Sequence, residues 1–403
     1  MMNRRKFIHA LNAGAALSLV SKPAFAGLFQ GGPSARMQDE LAYHTIQAVT
    51  FGDVRLQYPR LVGKNARLDL HGYGIRNEIC TITTDKGAKG WASLRGGKGG
   101  AQRIVSELVG KKLSDVFQVS VGITDDRYLP FDMALHDLAG VVLNKPVYAL
   151  LGREQPFTTK YYSGMIYFDD LEPAHAPGGI DKVLANCRYD YDYGYRQFKL
   201  KIGRGHRWMS QKDGLARDIE ITKAIAAAFP DCDILVDGNN GFTVYEFIDY
   251  LKGIGDIPLF WIEEPFHETV DDYRKLRDWM TQANVKSLLA DGEADPNPAL
   301  LDELMELKLM DVHLTDIEGL GFTNWRKLMP KLVQYKVQSS PHAWGSLLKT
   351  YYTAHLAGGL GNTVTIEGVT STSDDVDLSG YRIEDGNLIP SDGPGFGMKL
   401  LRG

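Results

Sequence analysis

The chain has 403 residues, 44% hydrophobic and 24% charged, the balance of a folded globular protein, which excludes a disordered or low-complexity chain. Its net charge of −5 supplies no global basic field, so no nucleic-acid partner is expected and any anionic ligand must be held by local charge. At this length two domains, or one large barrel with a cap, are expected rather than a single ordinary core.

Residues 1–26 read as an address. Asn3-Arg4-Arg5-Lys6-Phe7-Ile8 resembles a twin-arginine export signal, and Ala24-Phe25-Ala26 offers a small-residue cleavage site before Gly27. The weakly apolar stretch between them, Ala10 to Val20, carries Asn12 and Gly14 and is too short to span a bilayer. The mature protein is expected in the periplasm, with no membrane partner after processing. Export of folded protein suits an enzyme that takes up a metal first. Residues 27–40, rich in Gly, Pro, Ser and Gln, read as a linker. Cys80, Cys187 and Cys232 are odd in number and widely spaced, so they make neither a disulfide framework nor a zinc motif and read as small buried hydrophobes.

Residues 41–155 read as an α+β capping domain. His44 to Gly52 has strand character, and Ile79–Thr84 with Gly90–Leu94 flanks an Asp85-Lys86-Gly87 turn as a hairpin. Helical stretches follow at Ala101–Val109 and Pro130–Leu143. The polar segment Asp53 to Arg76 lacks strong periodicity and reads as a lid or binding loop.

From residue 156 to 373 the pattern is strand, turn, helix, repeated. Candidate strands are Lys160–Ile166, Gln197–Ile202, Ile234–Asp237, Leu259–Glu263, Ser287–Glu293, Met310–Asp316, Val337–Ser340 and Thr363–Gly368. Apolar positions Leu215, Ile219, Ala226 and Phe229, with Thr222, mark one face of an intervening helix. The fold class is α/β, a parallel (β/α)8 barrel; an open doubly wound sheet lacks the glycine-rich dinucleotide fingerprint it would need. Residues 374–403 form an irregular tail expected to pack on the cap.

Barrel chemistry sits at the C-terminal ends of the strands. Those ends carry Lys199 and Lys201, Asp237, Glu263, Glu293, Asp316, His342 and Glu367. Asp237, Glu263 and Glu293 are 26 and 30 residues apart, one strand-helix repeat each, so three hard oxygen ligands converge as a Mg²⁺ site requires. Lys199 and Lys201 share one side of a strand, and each ammonium should depress the other's pKa and favour a free amine base. Asp316, one strand from His342, can fix the imidazole tautomer and raise its basicity. Asp291, two residues before Glu293, is either a competing ligand or a deeper support.

These motifs resemble the enolase superfamily, mandelate racemase subgroup: Phe198-Lys199-Leu200-Lys201-Ile202-Gly203, Val236-Asp237-Gly238-Asn239, Trp261-Ile262-Glu263-Glu264-Pro265, Gly292-Glu293 and Ser340-Pro341-His342. The cap matches in Met133-Ala134-Leu135-His136-Asp137-Leu138-Ala139-Gly140 and Lys145-Pro146-Val147-Tyr148. The resemblance implies one Mg²⁺ per subunit on Asp237, Glu263 and Glu293. It makes Lys201 a base on one substrate face and His342, oriented by Asp316, an acid/base on the other. Lys199 would contact the substrate carboxylate, and Glu367 would hydrogen-bond the carboxylate oxygen that gains charge. Such sites use a Lys or His base with Mg²⁺ stabilising an enediolate. No lysine lies within Leu314 to Gly321, which favours His342 over a sixth-strand lysine as the second acid/base.

The resemblance implies dehydration of a sugar acid, aldonate or aldarate, to a 2-keto-3-deoxy acid. The partner would be a small-molecule carboxylate, and the assembly a homo-oligomer. Alternatives are a racemase, epimerase or cycloisomerase with the same first half-reaction, and an exported carbohydrate-binding protein with an inactive barrel. Candidate substrate contacts are Asn239 and the lid residues Arg55, Tyr58, Arg60 and His71; the lid charges could equally be a solvated surface.

Overall fold

The computed structural model describes residues 33–401; the expected leader, residues 1–26, and its cleavage site lie outside them. Helix α1, Pro33–Ala42, occupies much of the stretch expected as a linker. Its Gln38 side chain bonds the carbonyls of Ser114 and Phe117, so the segment docks onto the cap. Among the described residues no helix is long and apolar enough to cross a membrane.

The cap is a three-stranded antiparallel sheet, β1 (Ile46–Val62), β2 (Gly72–Thr84) and β3 (Lys89–Ser93), with helix Asp132–Leu143 across it. The segment expected as an unstructured lid is mostly strand: β1 and β2 pair from Ile46↔Thr84 to Gln57↔Gly74 and, after a break in register, again at Val62↔Gly72. Only residues 63–71 form the tip. Val54, Leu56 and Tyr58 are buried between exposed neighbours, the two-residue period of a strand, although the residues around them make the segment polar on average. β1 is also bridged at Gln57 to Thr372, just past the last barrel strand, which ties the hairpin to the barrel.

Seven barrel strands pair in chain order: Thr159–Ile166, Gln197–Lys201, Asp233–Asp237, Leu259–Glu263, Leu288–Asp291, Val312–His313 and Gln338–Ser339. The eighth, Ile366–Gly368, lies parallel to the first. The seventh and eighth are joined by a single parallel bridge, Ser339↔Thr363. Helices follow the first seven strands. After the eighth the chain enters the tail, whose strand Asn387–Ile389 pairs with the first strand. The tail also reaches the cap, where Phe396 N–H donates to Asp137 and Trp91 Nε1 donates to the Met398 carbonyl.

The helices begin and end where local chemistry dictates. In Val244–Ile254, Thr243 accepts from the Glu246 amide while the Glu246 carboxylate accepts from the Thr243 amide, and Gly255 terminates the helix at φ 70°. Its Val244, Phe247, Ile248, Leu251 and Ile254 recur at helical spacing and are buried.

Alternation along the strands builds the site. Tyr162, Leu235, Trp261, Ala290 and Val312 form one packed cluster. Side chains two residues further along a strand return to the same side, so Leu235 leads to Asp237 and Trp261 to Glu263. The ladder register sets Lys201 beside Asp237 and Asp237 beside Glu263. Charged groups therefore form the layer above an apolar floor.

Cys80 and Cys187 are buried as expected, whereas Cys232 is only half-buried; all three are free thiols.

Candidate active site

Asp237, Glu263 and Glu293 each offer a carboxylate oxygen, and these oxygens all lie within 4.8 Å of one another. Asp237 and Glu263 end their strands, but Glu293 does not. The fifth strand stops at Asp291, and Gly292, at φ 108°, turns the chain. That turn breaks the expected alternation, so Asp291 and Glu293 do not share a face. Asp291 accepts from the Tyr273 hydroxyl and the Gly292 amide, and lies outside the cluster. Burial pushes its pKa up to about 7.

The donor set fits a hard divalent cation. All three ligands are carboxylates, and Glu263 Oε2 and Glu293 Oε2 are buried without a hydrogen-bond partner among the described residues. Burial drives the Glu263 carboxyl well above its ordinary pKa, and the neighbouring Asp237 charge adds to the shift. Such a group gains most from a positive ion.

Lys199 lies below this cluster. Its ammonium is 2.8 Å from Glu263 Oε1, 2.8 Å from Glu367 Oε1 and 3.4 Å from Asp237 Oδ2. Lys201 is paired with Asp237 and stands 5.3 Å from the centre of the Tyr167 ring. The expected depression of the Lys201 pKa by Lys199 is present but outweighed. Burial and Lys199 favour the neutral amine, yet Asp237 and the other carboxylates hold the ammonium above its ordinary value.

His342 reaches the cluster at its other end. Its Nδ1 is 2.9 Å from Asp316 Oδ2, and its Nε2 is 3.1 Å from Glu293 Oε1. Neither Asp316 nor His342 lies within a strand, because the sixth and seventh strands stop at His313 and Ser339. Instead Asp316 caps the turn Ile317–Leu320, its Oδ1 accepting from the Glu318 and Gly319 amides. Burial depresses the His342 pKa, but Glu293, Glu367 and Asp316 raise it further, so the imidazolium is favoured.

Glu367 is buried beside His342, its Oε2 3.8 Å from the imidazole Nε2. Its Oε2 accepts from the Ala343 and Trp344 amides, each at 2.8 Å, while Oε1 faces Lys199. Burial works against its charge, but Lys199 and His342 prevail and the pKa falls to about 2. Glu367 thus ties Lys199 to the backbone of the loop that carries His342.

The hairpin tip forms a roof. Asn65 Oδ1 accepts from the Arg67 and Leu68 amides, and Trp208 Nε1 donates to the Asn65 carbonyl at 2.6 Å. A Cβ on Gly203 would stand 2.9 Å from Ala66 Cβ, so only glycine lets the tip approach the loop after the second strand this closely. Tyr58 donates to the Gly345 carbonyl at 2.8 Å and stacks on Trp344. His71 packs edge-on against Tyr167 and Trp344, and its Nδ1 donates to the Gly63 carbonyl. Burial first, and then the Lys201 charge, lower the His71 pKa. Its Nε2 is left as an acceptor.

Two lid expectations are corrected. Arg60 is spent on a bidentate pair with Asp190, 2.7 Å at each contact, and on the Met165 carbonyl; it clamps the hairpin to helix Gly179–Tyr193. Arg55 is exposed and alternates to the opposite side of β1 from buried Tyr58. Asn239 is placed at the site: its amide donates to Asp237 Oδ1, and its own Oδ1 is buried without a partner among the described residues. Trp344, Tyr167 and Lys349 were missed. Lys349 had a readable signal, as the one Lys, Arg, Asp or Glu in the 14-residue helix Leu347–Leu360.

An α/β barrel with carboxylates converging at the strand ends, flanked by a lysine and a histidine, defines a carbon-acid enzyme of the enolase type. Residues 182–402 match the enolase C-terminal domain-like family, and the chain belongs to it. A relative named arabinonate dehydratase, from Saccharolobus solfataricus, is 25% identical over 279 residues, covering 68% of this chain and 69% of its own. The galacturonate dehydratase of a Geobacillus species, solved as a mutant complexed with Mg, superimposes with a TM-score of 0.83 at 30% identity, over 89% of this chain and 93% of its own. The same enzyme, solved with D-galacturonate and 5-keto-4-deoxy-D-galacturonate, gives 0.81 at 31%, over 89% and 95%.

Proposed function

We propose that the protein is a sugar-acid dehydratase that removes the proton α to the carboxylate of an aldonate, aldarate or uronate and expels the β-hydroxyl as water. The observation that carries this reading is the carboxylate cluster with Lys201 at its Asp237 end and His342 at its Glu293 end. One Mg²⁺ per subunit would be held by Asp237, Glu263 and Glu293. When bound, it would stabilise the charge that develops on the substrate carboxylate and weaken the hold of Asp237 on the Lys201 proton.

The chain's own groups do the rest. Lys201 or His342 takes the α-proton, and electrons from that C–H bond delocalise toward the carboxylate. His342, protonated on Nε2, delivers a proton to the β-hydroxyl as the C–O bond breaks. Water leaves, and the enol product tautomerises to a 2-keto-3-deoxy acid. Asp316 keeps Nδ1 protonated throughout, so Nε2 is the atom that exchanges. Tyr58, His71 and Trp344 close the roof and keep bulk water from the reacting carbon. His71 Nε2 and Asn239 Oδ1 are acceptors for substrate hydroxyls.

Epimerisation shares the first half-reaction, but the likeness to the galacturonate and arabinonate enzymes favours loss of water. The deciding experiment incubates a panel of acid sugars with Mg²⁺ in D₂O and follows α-deuterium incorporation together with 2-keto acid formation. Exchange with keto-acid product supports dehydration. Exchange with inversion and no loss of water supports the epimerase, and absence of both supports a binding protein.

The leader makes export to the periplasm part of this proposal, tested by whether the mature chain begins at Gly27. A homo-oligomer is proposed as well, and sedimentation of the processed protein would test it.

A further inference from the structure

Lys349 is a partly buried ammonium that the chemistry above does not use. It projects from helix Leu347–Leu360, 2.5 Å from Asp316 Oδ2 and 3.3 Å from the Trp344 carbonyl oxygen. Both partners matter. Asp316 Oδ2 is the oxygen that receives His342 Nδ1, while its other oxygen is occupied by the Glu318 and Gly319 amides. Trp344 and Ala343 present their amides to Glu367. One ammonium thus joins the carboxylate that orients His342 to the loop that carries His342 and cradles Glu367. The same helical turn holds a second, partly buried acid, Glu318, bonded to Ser93 at the end of β3 in the cap. Two acids this close need a counter-charge, and Lys349 is the only Lys or Arg paired with Asp316 among the described residues.

We propose that Lys349 is a positioning residue for the His342 step: it balances the Asp316 charge and fixes the 342–344 loop, so that imidazole and Glu367 keep one arrangement while the substrate turns over. The proposal rests on the reading of His342 as an acid/base. Lys349 lies in the layer behind the reacting groups, so its removal should lower kcat and leave the metal ligands alone.

The test uses the Mg²⁺-loaded enzyme on an accepted acid sugar. K349M should lower kcat by about 10–100-fold, the usual cost of losing a supporting partner behind a catalytic group, with KM and Mg²⁺ affinity within about threefold of the parent. K349R, which keeps the charge, should recover most of the loss. In the D316N background, where the charge that Lys349 balances is gone, adding K349M should cost little more. This double variant also serves if K349M alone does not fold. A K349M enzyme with parent kcat, a loss carried by KM or Mg²⁺ affinity, or full multiplication of the K349M and D316N losses would each overturn the proposal. H342N is assayed alongside: parent activity there would mean that the His342 reading has failed, whatever Lys349 does.

Discussion

His342 Nε2 stands 3.1 Å from Glu293 Oε1, so the acid/base and one candidate metal ligand touch. At the opposite end Lys201 is paired with Asp237. The carboxylate cluster is therefore a shared counter-charge for both proton-transfer groups, and chemistry at either end depends on what the carboxylates hold.

Metal removal should abolish turnover, and Mg²⁺ should restore it. Glu263→Gln keeps the side-chain shape but replaces a charged hard ligand by an amide. It should weaken Mg²⁺ binding by at least tenfold, measured by calorimetry, while the apo fold stays parent-like by circular dichroism. Full activity in the chelated enzyme would sink the metal-dependent mechanism.

The pH profile should carry a His342 limb on the alkaline side. His342 acts protonated on the β-hydroxyl, and its neighbours hold its pKa above the ordinary value. Raising the pH through that value removes the acid, so kcat falls. Asp316 is one of the groups that raise it, so Asp316→Asn should move the limb to lower pH and reduce kcat by about 10²-fold. An unmoved limb would show that another group supplies the leaving-group proton.

Arg60 should matter to folding before it matters to turnover. Its guanidinium and Asp190 are both largely buried, and breaking such a pair by removing one partner costs about 3–5 kcal/mol. Arg60→Met should lower the urea midpoint accordingly, with kcat near the parent's well below the melting transition. A collapse of kcat with unchanged stability would return Arg60 to the substrate site.

The barrel and its charged layer were legible in the sequence because period-2 alternation and repeat length act together: Leu235 to Asp237 and Trp261 to Glu263 are two-residue steps on adjacent strands. Legibility failed where a strand ended early. Glu293 enters the cluster through the turn at Gly292, a backbone conformation that residue parity does not report. The hairpin was misjudged for a related reason, since its outer half is half-solvated and owes its pairing to register with β2 and the bridge at Thr372. Arg60 looked like a substrate ligand because its partner, Asp190, lies 130 residues away, beyond any local pattern. Lys199 and Lys201 were found, but the electrostatic balance between them depended on carboxylates from other strands.

The last prediction separates Lys201 from His342. The two touch opposite ends of the ligand cluster, at Asp237 and Glu293, and a substrate bound over the cluster would lie between them. Each positioned acid/base contributes about 10²–10⁴-fold, so Lys201→Ala and His342→Asn should both lose at least 10²-fold in dehydration. They should differ in kind. If Lys201 takes the α-proton, His342→Asn retains the base and still exchanges that proton with D₂O, because carbanion formation outruns a departure that now lacks its acid. Lys201→Ala should then neither exchange nor eliminate, although His342 remains intact. The reverse pattern would assign the α-proton to His342 and leave Lys201 as an electrostatic group. Exchange and elimination both at the parent rate in His342→Asn would remove His342 from the mechanism altogether, and with it the orienting role of Asp316.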